Sequence, residues 1–197
     1  MTKNTITLTN NQTGKIYEYN ILEGTRGPAV LDIRHFFSDT GMFTYDPGFT
    51  STAACSSTIT FIDGKKGELR YRGIPIETLA ENHNYLESCF LLLNARLPTE
   101  GELDSFDLEI RHRGYLHKGL QKLFDAFPDN AHPMATLSAA VTALASFYNE
   151  HLDIENENEY LEMAHRIIAK MPTIAAFSYR HSLGIPFIEP NIDLSFT

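Results

Sequence analysis

Cysteine is scarce in this 197-residue sequence. Cys55 and Cys89 are the two, which excludes a disulfide framework and fits a reducing compartment. Cationic side chains are also few: 16 Lys and Arg face 25 Asp and Glu, a formal net charge of −9 with an isoelectric point near 5.3. Nucleic-acid binding needs a concentrated basic surface, and no basic run or arginine–aromatic stripe provides one. Long apolar runs are missing as well. Cys89-Phe90-Leu91-Leu92-Leu93 is far too short to span a bilayer. The opening MTKNTITLTNNQTGK has no apolar core of signal-peptide length. Neither nucleic acid nor membrane is expected as a partner, and a cytoplasmic location is the default.

The generic signatures of chemistry are absent too. There is no G-x-G-x-x-G, P-loop, G-x-S-x-G or H-E-x-x-H. Gly64 and Gly67 bracket two lysines, but the spacing suits a hairpin turn and not a phosphate loop. Of the 8 histidines, His112 and His117 are five apart and do not share a helical face. Neither cysteine has a C-x-x-C companion, so no metal site is expected. His132, just ahead of Pro133, reads as a helix N-cap with a local role.

What remains is ordinary globular material, 43% hydrophobic and 21% charged, enough for one domain or one and a half. Thr5 to Thr9 and Lys15 to Ile21 alternate around Asn10-Asn11-Gln12-Thr13-Gly14 and predict a β-hairpin. Leu22 to Thr50 reads as irregular. A second hairpin is expected from Thr58–Ile62 and Glu68–Arg72 around an Asp63–Gly67 turn. Pro75 then suits the first turn of a helix carrying Ile76, Leu79 and Ala80.

Beyond Pro75 the pattern is helical. Asn84 with Glu87 forms a capping box ahead of Leu86, Phe90, Leu93 and Leu97. Thr99 with Glu102 opens a second segment, extending to Phe127 and weakened by Gly114 and Gly119. Pro133 starts a stripe of Met134, Leu137, Val141, Leu144 and Tyr148. A start near Asn156 leads through Tyr160, Ala164, Ile167, Met171 and Ala175 to Ser178, with a kink expected at Pro172. The close on Asp193-Leu194-Ser195-Phe196-Thr197 reads as a cut, with a short docking coil as the alternative. The last two helices need partners for their apolar faces.

One cluster could bind a ligand. Arg166 and Lys170 are four apart, share a face, and have Tyr148 on the preceding helix. Two cations and an aromatic ring could hold a nucleotide's phosphate and base. Glu162, four residues before Arg166, offers the plainer account of a surface ion pair worth about 0.3–0.5 kcal/mol. Core packing offers one for Tyr148.

Phe61 to Leu79, FIDGKKGELRYRGIPIETL, is the most informative run, and with Phe43 to Thr60 it resembles the N-terminal signature of the citrate synthases. It is similar to their bacterial type II, hexamer-forming branch. NYLESCFLLLNARLP (Asn84–Pro98), His132-Pro133-Met134, ALASFY (Ala143–Tyr148), Lys170-Met171-Pro172-Thr173 and GIPFIEPNIDLS (Gly184–Ser195) continue the resemblance in order.

The resemblance implies a mainly α fold. It places a β-rich N-terminal region at 1–50 and part of a helical large domain at 51–197. It implies condensation of acetyl-CoA with oxaloacetate and water to citrate and CoA. In the family a histidine and an aspartate enolise the thioester, a second histidine polarises the oxaloacetate carbonyl and arginines clamp the carboxylates. Those residues belong to the C-terminal portion, so no catalytic residue is expected here, no cofactor is implied, and the segment alone should be inactive. Segments matching Pro133–His151 and Glu157–Gly184 contribute to the subunit interface of a homodimer that assembles to a hexamer. Tyr148, Arg166 and Lys170 match residues of an allosteric NADH site. Arg111-His112-Arg113-Gly114-Tyr115 departs from the arginine-histidine-threonine pattern of NADH-inhibited members. The alternatives are part of a 2-methylcitrate synthase, and a helical interaction module that kept the assembly surface without the catalysis.

Overall fold

Asn10 shapes the first turn. Its side-chain oxygen accepts from the backbone N–H of Gln12 at 2.9 Å and of Thr13 at 3.3 Å, the local bonding that favours Asn in turns. Gly14 follows at φ 71°, a conformation that costs glycine little. On either side β1 (Thr5–Thr9) and β2 (Ile16–Leu22) pair antiparallel, with Thr5 opposite Asn20 and Thr9 opposite Ile16. The computed structural model describes residues 4–149, 153 and 155–196. The chain divides into two compact units, Met1–Asn82 and His83–Thr197.

In the first unit, the stretch expected to be irregular holds two short elements. β3 (Val30–Leu31) pairs antiparallel with the end of β2, and α1 (Phe36–Thr40) stops at Gly41, φ 73°. Neither is long enough to show a period in sequence. Tyr19 is buried with its ring centroid 5.7 Å from that of Phe36. Farther along, the Asp46 carboxylate accepts from the N–H of Thr50 and Ser51 and from the hydroxyls of Thr50 and Thr52 at 2.6 to 3.2 Å. These bonds, the Thr52 hydroxyl first, lower its pKa.

The second hairpin is present as β4 (Thr60–Asp63) and β5 (Glu68–Tyr71), with Asp63 opposite Glu68. Asp63 accepts from the N–H of Lys65 and Lys66, each at 3.1 Å, so the lysine pair sits on a turn. Pro75 departs from expectation. It ends β6 (Ile74–Pro75), opposite Arg70, and α2 begins one residue later (Ile76–Asn82). A terminal strand position tolerates the missing N–H as well as a first helical turn does.

The second unit is helical. α3 (Tyr85–Asn94) and α4 (Glu100–His112) both start with complete capping boxes, Asn84 with Glu87 and Thr99 with Glu102, as the sequence predicts. Leu97 lies past the end of α3. The expected run to Phe127 is broken: α4 stops at His112 and α5 spans Lys118–Phe124. Between them, the carbonyls of Arg113, Gly114 and Tyr115 bond to side chains of a later helix. α6 (Pro133–Ala143) carries Pro133 in its first turn and runs into a 3-10 turn at Leu144–Phe147. α7 (Glu157–Ser182) passes through Pro172 as one element. Pro172 is exposed, so its ring lies toward water.

α7 is the axis of this unit. Ile174 and Phe177 join Leu120 and Phe124 of α5 and Ala140 of α6 in one buried cluster. Ala169 joins Leu86 and Cys89 of α3 and Phe106 and Ile110 of α4 in the other. The segment after α7 folds back as coil. Phe187 stacks on Phe177 at 4.3 Å, Arg111 donates to the Ile192 carbonyl at 2.5 Å, and Phe196 lies 5.9 Å from Tyr85. His151, at the close of the expected Pro133–His151 interface segment, lies outside the described residues. Among the described residues no helix is long and apolar enough to cross a membrane.

Candidate functional site

Tyr148, Arg166 and Lys170 come together. The Arg166 guanidinium carbon is 4.6 Å from the Tyr148 ring centroid, and Lys170 Nζ is 5.5 Å from it. The two cations are one turn apart on α7, so they share a face. Tyr148 directly follows the 3-10 turn after α6 and packs partly buried against the α5–α6–α7 cluster. The core-packing role and the cation contact therefore coexist.

The expected ion pair is also present. Glu162 Oε1 accepts from Arg166 Nε at 2.9 Å and Nη2 at 2.7 Å. The same oxygen accepts from Arg113, and Arg113 Nη2 lies 3.1 Å from Glu109 Oε1. His165 Nδ1 sits 2.8 Å from that Glu109 oxygen. A continuous chain results: His165, Glu109, Arg113, Glu162, Arg166. The Arg113 contact, then that of Arg166, holds the Glu162 carboxyl at about 2 against its burial. Glu162 in turn raises the pKa of Arg113. Sequence reading names Arg113 only within a departing segment, because its partner is 49 positions away.

Lys170 is 5% exposed. Its ammonium donates to the carbonyls of Arg113 at 2.7 Å and Tyr115 at 2.5 Å. Thr173 Oγ1 donates to the carbonyl between them, Gly114, at 2.9 Å. Burial, followed by the nearby charges of Arg166 and Arg113, pushes the Lys170 pKa down to about 8. Nothing in the sequence distinguishes this lysine from a solvated one on a helix face. The acceptors are backbone groups 55 and 57 positions away.

The other sequence candidates scatter. His112 ends α4, while His117 caps α5 by accepting from the Gly119 N–H at 3.0 Å. His132 caps α6 through Met134 N at 3.2 Å. Among the described residues no three His, Cys, Asp or Glu side chains gather to hold a metal. An open groove of about 530 Å³ runs past Phe90, Arg96, Glu102, Phe106, Glu109 and His165. Its carboxylates are already engaged, Glu102 by Arg96 at 2.6 Å and Glu109 by His165.

The family model described as citrate synthase, C-terminal domain, matches residues 48–197. Citrate synthase of Helicobacter pylori strain J99 is 47% identical over 192 residues, 97% of this chain and 45% of that protein. This chain belongs to the citrate synthase family. Solved citrate synthases agree with its fold. That of Pyrobaculum aerophilum is 31% identical with a TM-score of 0.69, covering 89% of this chain and 42% of that one. That of Thermoplasma acidophilum, a ternary complex with carboxymethyl coenzyme A and oxaloacetate, is 26% identical with a TM-score of 0.70, covering 78% and 40%. The citrate synthase segment thus spans less than half the length of these relatives. Its helices and small sheets are consistent with a citrate-synthase-like fold.

Proposed function

We propose that this chain is the N-terminal portion of a type II citrate synthase, which condenses acetyl-CoA with oxaloacetate and water to give citrate and CoA in the cytoplasm. The observation that carries the reading is the 47% identity across 97% of the chain. Residues 1–50 form the β-rich region, and 51–197 part of the helical large domain. The named relatives favour neither the 2-methylcitrate reading nor the interaction module.

Enolising a thioester requires a base poised at its methyl carbon and a donor at its carbonyl. The charged cluster here is unsuited to that work. Glu162 is held at about 2 by its guanidinium partners, and two N–H groups of Lys170 are committed to carbonyls. The citrate synthase resemblance places the chemistry outside the segment, which supplies scaffold and subunit-interface helices. Exposed apolar side chains on the last two helices, Met134 on α6 and Tyr160 and Tyr179 on α7, support a homodimer interface in an assembly that reaches a hexamer. Tyr148 and Arg166 form the nucleotide-binding site, with Lys170 beside the same ring as a buried support and NADH as the effector. Their convergence around one aromatic ring supports this.

The test is a segment exchange. The matching segment of the Helicobacter pylori enzyme is replaced by this chain, and CoA release from acetyl-CoA and oxaloacetate is followed with a thiol reagent. Turnover is expected from the chimaera and none from the isolated chain. A folded chimaera without turnover sinks the scaffold reading, and turnover by the isolated chain sinks the placement of the catalytic residues.

A further inference from the structure

Glu162 occupies the place an anion would take at the Tyr148–Arg166–Lys170 cluster. We infer that Glu162 is an internal counter-anion that closes this site, so that a nucleotide phosphate enters only by displacing its carboxylate from Arg166 and Arg113. The inference rests on the nucleotide reading and names the regulation of that same site.

The contacts decide which cations are transferable. Lys170 has three N–H groups, and two already lie on the carbonyls of Arg113 and Tyr115. Its position, 5% exposed, makes it a poor partner for a solvated phosphate. Arg166 and Arg113 differ, with side chains 20% and 28% exposed. Both guanidinium groups converge on one oxygen, Glu162 Oε1. A phosphate oxygen satisfies the same donors, because guanidinium groups bind carboxylate and phosphate with one fork geometry.

Opening the site would not cost the arginine its position. Arg166 stays over the Tyr148 ring at 4.6 Å, a contact that does not involve Glu162. The Glu162 side chain is 28% exposed, so it can turn to water once released. Glu109, 3.1 Å from Arg113, is a second acidic neighbour, but it keeps His165 as its own partner at 2.8 Å. The contest for Arg166 is therefore between Glu162 and the incoming anion.

The experiment measures binding of a fluorescent N-methylanthraniloyl ADP to the whole chain, to three single variants and to one double variant, all with unchanged helical circular dichroism. E162Q keeps the shape and removes the competing charge. E157Q removes an equal charge from an exposed position, and R166Q removes the receiving cation. Displaced charge-assisted bonds of this kind predict that E162Q binds the probe roughly tenfold more tightly than the native chain. E157Q should match the native chain, and adding R166Q to E162Q should abolish the gain. Should E162Q lose helix content, E162D, whose shorter side chain loosens the bridge, carries the test with an intermediate gain. If native binding needs Arg166 yet E162Q binds no better than E157Q, the counter-anion role is overturned and the nucleotide reading stands. If neither the native chain nor E162Q binds the probe, both are overturned.

Discussion

Among the described residues, the buried apolar side chains of Met1–Asn82 are Tyr19 and Leu79, whereas those of His83–Thr197, Leu91 apart, gather into two clusters astride α7. The first unit is organised by backbone ladders and by short polar side chains that tie down turns: Asn10, Asp46 and Asp63. The second is organised by side chains reaching across helices. Ladder hydrogen bonds exchange water for protein partners at modest net gain, while buried apolar area is the larger stabilising term. Resistance to local opening should therefore differ between the units.

The largest test of that contrast is Phe177→Ala. Phe177 is fully buried, stacked on Phe187 and edge-on to Phe124, so its truncation should cost about 3–5 kcal/mol. Hydrogen–deuterium exchange should show lost protection in α5, α6 and α7 with the β1–β2 hairpin unchanged. Equal loss in both would mean one cooperative fold and end the comparison.

Lys170→Met comes next. It leaves the carbonyls of Arg113 and Tyr115 without their donor, an expected loss of about 2 kcal/mol at neutral pH. The pH dependence has a definite sign. Lys170 titrates at about 8 in the folded chain against 10.5 in the reference state, so the unfolded chain binds more protons between those values. Its contribution is complete above 10.5 and falls away as pH drops through about 8. The native-minus-variant gap in denaturant midpoint should accordingly widen from pH 7.5 to 9.5. A constant gap would show that the buried amine does not titrate there.

The smallest effect belongs to the first unit. The Tyr19 hydroxyl is buried with no hydrogen-bond partner among the described residues. Tyr19→Phe should change the urea midpoint by no more than about 0.5 kcal/mol equivalent, or raise it slightly, because deleting an unpaired buried polar group is nearly neutral. A loss above about 1 kcal/mol would mean that the hydroxyl is paired in solution.

How much of this was legible follows the range of each interaction. Asn84 with Glu87 and Thr99 with Glu102 act within three residues, so sequence alone places both capping boxes. The Asn10–Gly14 turn and the β1–β2 hairpin are local in the same way. Pro75 was misplaced because a first helical turn and a strand end tolerate proline for one reason, the dispensable N–H. The break between α4 and α5 was read only as a weakening at Gly114, since the Lys170 and Thr173 bonds that use its carbonyls arise on α7. Of the candidate site, the Glu162–Arg166 pair was legible as an i, i+4 spacing. Arg113 joining it across α4 and α7 was not.

Lys170 and Thr173 together hold three successive carbonyls, those of Arg113, Gly114 and Tyr115. Sliding α7 by even one turn, about 5.4 Å, would strand all three acceptors at once, at about 1–3 kcal/mol each. The helix is thus keyed to the α4–α5 connection like a shaft in its hub. Rotation or translation of α7 must carry residues 113–115 with it, and Arg113 moves as part of that hub.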